Sequence, residues 1–123
     1  MDCTRYEPEP LKNEHPAVWQ EIIEALKGRS DVPASLLADM QRRDDFGRQK
    51  YHTPLQPFNG RNPIMDAYQE ALDLVAYTKQ AVMESTKNYQ NSLFLSKDPR
   101  LTLVHLAAVQ CAIHLRQILD TQP

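Results

Sequence analysis

The chain has 123 residues, a net charge of −2 and 41% hydrophobic residues. That suffices for one domain with a single core, and the charge gives no overall basic field to draw a nucleic-acid polymer or an anionic membrane. Two isolated thiols, Cys3 and Cys111, fit a reducing cytoplasm better than secretion, where a chain of this size more often carries several bridges.

Residues 1–15 are polar and Pro-bearing, and read as an extended arm ahead of a single helical domain, 16–123. The arm lacks the basic stretch and apolar run of a signal peptide. No uninterrupted apolar run approaches the ~20 residues of a membrane span, so no membrane partner is expected. Pro16 suits a first helical turn. Val18, Trp19, Ile22, Ile23 and Leu26 then recur at helical spacing, and Gly28 is the expected stop. Glu21 and Glu24 have metal-like spacing, but their apolar neighbours lie on the opposite side of that helix, so they read as a solvated pair.

A second helix is predicted from about Ala34 to Tyr51. It carries Arg42, Arg43, Arg48 and Lys50 around Gly47. Glycine inside a helix costs about 1 kcal/mol relative to alanine, which points to close approach of something to the backbone there. Arg43, Gly47 and Lys50 share one face. Arginine forks two oxygens and lysine acts as a point charge, so the face would suit a phosphate chain. The plainer reading is a solvated basic face beside Asp44 and Asp45.

Residues 52–63 contain three prolines and the turn pair Asn59-Gly60, so they form a stiff loop. Phe58 on this loop either stacks a base or plugs the core. Arg61 sits beside the start of the next helix.

Asn62 to Met83 reads as a helix wrapped in apolar residues with one narrow acidic stripe. At ~100° per residue, Asp66, Glu70, Asp73 and Tyr77 fall within roughly 60° of one another. Surface helices show the inverse proportion, so this helix is expected to be buried on most sides. Buried carboxylates need a partner or a cation, which makes a divalent-metal site on Asp66, Glu70 and Asp73 a serious expectation.

A polar linker, 87–100, leads to a last helix from about Leu101 to Leu119. That helix has two apolar faces. Val104, Ala108, Cys111, Leu115 and Ile118 form one, and Leu106, Val109 and Ile113 the other. The second face predicts either a helix sandwiched in its own domain or a homo-oligomer. His105 and His114 lie on opposite flanks, too far apart in angle to chelate one ion. No segment shows sustained two-residue alternation, so the expected class is all-α, a bundle of about four main helices. Zinc spacing, phosphate-binding glycine loops and hydrolase nucleophile motifs are absent from the sequence.

Glu70-Ala-Leu-Asp73-Leu-Val-Ala-Tyr77 resembles the second half of the metal motif of the MazG-like all-α nucleoside triphosphate pyrophosphohydrolases. The longer pattern runs through Arg43-x-x-Phe46-Gly47-x-x-Lys50-Tyr51, Pro54-Leu55, Asn59-Gly60-Arg61 and Asp66-Ala67-Tyr68-Gln69-Glu70. It is similar to small phage-associated members of that superfamily and covers residues ~35–85. The resemblance implies Mg²⁺-dependent hydrolysis of a nucleoside triphosphate to the monophosphate and pyrophosphate, in the cytoplasm of a bacterial host if the chain is phage-encoded. Asp66, Glu70 and Asp73 would be the catalytic and metal residues, Glu70 and Asp73 as ligands and Asp66 as a third ligand or a base. Arg43, Lys50 and Arg61 would meet phosphate, and Tyr51, Phe58 and Asn59 would complete the nucleotide site.

The family's first acidic half-motif has no clear counterpart here. His52 stands where relatives have Gly, and Asn62 where they tend to have Asp. The alternative function is therefore a nucleotide binder without hydrolysis, one that sequesters a signalling nucleotide made by an antiviral defence system.

Overall fold

Four helices account for the regular structure of the computed structural model, which describes residues 8–85 and 98–123. They are α1 (Val18–Leu26), α2 (Ala34–Tyr51), α3 (Pro63–Glu84) and α4 (Pro99–Thr121). The described residues contain no strand, so the all-α expectation holds. Residues 86–97, which hold most of the predicted linker 87–100, lie outside the described residues.

The helix ends follow local chemistry. Asn62 caps α3, its Oδ1 accepting the Ile64 and Met65 N–H groups at 3.1 and 3.2 Å. Pro63 takes the first helical position, where no N–H is needed. Asp98 caps α4 by accepting the Arg100 N–H at 3.0 Å, again with proline next. The α2 helix closes on His52, which adopts the left-handed conformation at φ 61° and donates its N–H to the Arg48 carbonyl. Glycine reaches that conformation without strain, and other residues do so only at a cost.

The chain divides into two compact units, one of Tyr6–Arg61 and the other built from Asn62–Pro123. In the first, α1 packs on α2. Asp44 of α2 is 2% exposed. Its Oδ1 accepts from Arg48 Nε at 2.9 Å and its Oδ2 from Gln20 Nε2 of α1 at 3.1 Å. A buried carboxylate is tolerable because both oxygens are satisfied and one partner is charged.

In the second unit α3 packs along α4. Asn62 Nδ2 donates to Gln122 Oε1, the Arg116 guanidinium lies over the Tyr68 ring, and Thr78 meets His105. The paired positions rise on α3 as they fall on α4, so the helices are antiparallel. Ala71, Thr78 and Val82 of α3 and Ala108 and Leu119 of α4 are buried.

Two expectations are corrected here. The α3 helix is not buried on most sides, since Glu70, Asp73, Leu74 and Tyr77 are exposed. Its apolar wrapping exceeds what α4 covers. The α4 helix, by length and composition, is apolar enough to cross a membrane, and only 6% of its apolar 18-residue window is buried. Its apolar residues are interrupted by His105, Gln110, His114 and Gln117, so a search for an uninterrupted run passes over it.

Candidate functional site

The residues singled out in the sequence divide between the units. Arg43, Lys50, Tyr51, Phe58, Asn59 and Arg61 belong to the first, and Asp66, Glu70 and Asp73 to the second.

In the first unit the four cations of α2 separate into two kinds. Arg42 pairs with Asp39 one turn back, and Arg48 pairs with the buried Asp44. Arg43 and Lys50 make no ion pair among the described residues. Each lies instead against an aromatic ring. The Arg43 guanidinium carbon is 5.8 Å from the Phe46 centroid, and Lys50 Nζ is 5.2 Å from the Tyr51 centroid. Such exposed contacts are worth about 0.5–1 kcal/mol and leave the charge in water. Arg43, Phe46, Gly47 and Lys50 fall on neighbouring positions of one helical face. A β-carbon at Gly47 would meet nothing within 4 Å. No contact among the described residues therefore requires glycine there, and the backbone is open beside the two uncommitted cations.

The loop after α2 is held from inside. Gln56 is buried, and its Nε2 donates to the Asn13 and His15 carbonyls at 2.7 and 2.8 Å. Its Oε1 accepts the Asn13 N–H at 3.1 Å and the Thr53 hydroxyl at 3.3 Å. Asn13 Nδ2 in turn donates to the Pro57 and Phe58 carbonyls. The described part of the arm, 8–15, is thereby fastened to the loop, and Leu11 N–H adds a bond to the Asn59 carbonyl at 2.8 Å. Sequence reasoning missed this network. The available signal was two primary amides in Pro-rich segments, each able both to donate to and accept from stranded backbone.

Asn59 is buried, and its Oδ1 accepts the Arg61 N–H, so the side chain shapes the turn. Arg61 Nη1 donates to the Pro8 carbonyl at 2.7 Å. Phe58 is 82% exposed, which excludes the core-plug reading. It also holds a left-handed φ of 57°, a conformation that costs a bulky residue of order 1 kcal/mol. Its ring leans on that of His15, centroids 4.8 Å apart at 45°.

In the second unit, Asp66 is half-buried while Glu70 and Asp73 are exposed on the side of α3 turned away from the α4 seam. Glu70 and Asp73 make no hydrogen bond or ion pair among the described residues. Their spacing puts the two side chains one helical turn apart, close enough to share one ion. The donor set is hard oxygen, which suits Mg²⁺, an ion that takes one or two carboxylates plus water and phosphate. Among the described residues no group of three or more His, Cys, Asp or Glu side chains is gathered to hold a metal. Glu21 and Glu24 are exposed, in line with the solvated-pair reading.

No family model, curated protein or solved structure matches the chain.

Proposed function

We propose that the protein binds a nucleoside triphosphate by its phosphate chain and, with Mg²⁺, hydrolyses it to the monophosphate and pyrophosphate. The observation that carries the binding half is the division of the α2 cations. Acids neutralise Arg42 and Arg48, whereas Arg43 and Lys50 keep their charge uncommitted beside an open glycine backbone. Two cations on one face offset the charge of a polyphosphate, and arginine adds a planar fork for two of its oxygens. The ring of Phe58 stands exposed and is available to stack a base.

The hydrolytic half rests on Glu70 and Asp73, which α3 exposes with no hydrogen bond or ion pair among the described residues. These two are the residues that would hold Mg²⁺. The ion would supply charge neutralisation along the phosphate chain. Asp66, one turn earlier, would take the proton of the attacking water.

A second reading, sequestration without cleavage, draws on the missing gathered cluster of three metal-ligating side chains among the described residues. Thermal melting against a nucleotide library, with and without Mg²⁺, tests the shared claim, because a bound ligand stabilises the native state by mass action. A nucleoside triphosphate should raise the melting temperature, and Arg43→Ala should remove the rise. A flat response across the library would reject both readings.

A further inference from the structure

The α4 helix offers more apolar surface than α3 covers. Val104, Cys111 and Ile118 are exposed, and Val104 and Ile118 are 47% and 44% exposed. The three residues recur every seven positions, so they form one stripe within roughly 40° of arc. Ala107 lies beside it. The opposite flank, with Leu106 and Ile113, is bordered by Gln110 and Gln117, and Leu103 lies on the solvent-facing back of the helix.

The stripe also has a symmetry. Val104 and Ile118 are equidistant from Cys111, which lies next to the midpoint of Pro99–Thr121. A second α4 laid antiparallel across the first at Cys111 would set Val104 against Ile118 of the other copy, and Cys111 against itself. Such isologous self-complementarity is what a two-fold interface needs. The seam of an antiparallel helix pair has two flanks, each reached by turning in the same rotational sense on both helices. On that criterion Leu74 of α3, 45% exposed, lies on the Cys111 side and widens the face.

We propose that a second copy of this chain docks on the Val104–Cys111–Ile118 stripe, with the two α4 helices antiparallel and crossing at Cys111. The face is about 30 Å long and about 18 Å wide, from helix rise and interhelical spacing. That is roughly 1,100 Å² for the pair, just under the standard range of stable interfaces, in the range of weaker specific ones, and above typical packing contacts. A bilayer is the competing occupant of so apolar a helix. A lipid-facing helix is apolar all round, whereas α4 presents Gln110, His114 and Gln117 to solvent and seats His105 on a hydroxyl of α3. The inference stands apart from the nucleotide reading.

The test uses the full-length chain with Cys3→Ser and a short bismaleimide cross-linker. The Cys111 protein should sediment as a dimer at tens of micromolar and cross-link to a dimer through Cys111. In a Cys111→Ser background, Val104→Cys and Ile118→Cys proteins should cross-link when mixed. Neither should cross-link alone, because self-pairs sit about 21 Å apart. Ile118→Glu should give a monomer of unchanged helicity by circular dichroism, since its side chain is already half in water. A wild-type monomer at 100 µM would overturn the proposal. So would self-linking of Val104→Cys (a parallel pairing), a dimer indifferent to Ile118→Glu, or a monomer that co-sediments with phosphatidylcholine–phosphatidylglycerol vesicles.

Discussion

The hydroxyl of Thr78 lies 2.8 Å from Nδ1 of His105 and 2.7 Å from the Leu74 carbonyl. A hydroxyl has one proton. If Thr78 gives it to the carbonyl, His105 must donate from Nδ1, which fixes the tautomer of a half-buried ring in the α3–α4 seam. Thr78→Val keeps the shape and strands that ring nitrogen. It should cost about 1 kcal/mol in urea unfolding, and Thr78→Ser should recover most of it.

Gly47 separates a folding role from a binding role. A β-carbon there meets nothing, and alanine is a better helix former by about 1 kcal/mol. Gly47→Ala should therefore raise stability by about that amount. If the open backbone between Arg43 and Lys50 receives phosphate, the same change should weaken nucleotide binding. A stabilised variant with unchanged affinity would move the phosphate site elsewhere.

The legibility of the sequence varied with the kind of signal. All four helices follow from the 3.6-residue period, although the Asp98-Pro99 cap, read as linker, starts α4 two residues before the predicted Leu101. Burial of α3 was not legible, because an apolar residue reports that it seeks a partner, not whether the partner lies in the same chain. Asp44 was read with the solvated face, although Arg48 four residues on is the partner that makes its burial possible. The acid partners of Arg42 and Arg48 left Arg43 and Lys50 as the uncommitted pair, a distinction that composition alone does not make. The arm-to-loop network escaped because hydrogen bonds between Asn13 and Gln56 span residues far apart in the chain.

Acid should loosen the start of α4. The carboxyl of Asp98 is held below its ordinary range, first by the Arg100 side-chain hydrogen bonds and then by the Arg100 backbone N–H it caps. A lowered folded-state value means that the contribution is complete above the unfolded carboxylate pKa. It is lost as pH falls through the lowered folded value. Helicity followed by circular dichroism should drop on acidification in this range. Asp98→Asn, which still caps but cannot titrate, should reduce that dependence.

Glu70 distinguishes a catalytic acid stripe from a structural one. It is exposed and makes no ion pair among the described residues, so Glu70→Gln should leave the unfolding free energy in urea within about 0.5 kcal/mol of wild type. A loss of 3 kcal/mol, typical of stranding a buried partner charge, would mark it as part of a structural pair instead.

The most direct measurement is pyrophosphate release from a panel of ribo- and deoxyribonucleoside triphosphates with Mg²⁺, run on wild type and Glu70→Gln side by side. At least one triphosphate should yield equimolar monophosphate and pyrophosphate. EDTA should abolish the release, and Glu70→Gln should slow it by about a hundredfold or more, as when a main electrostatic stabiliser is lost. Tight binding with the triphosphate recovered intact from folded wild-type protein would contradict hydrolysis and leave sequestration. Release that is indifferent to EDTA and to Glu70→Gln would contradict the assignment of the site to α3.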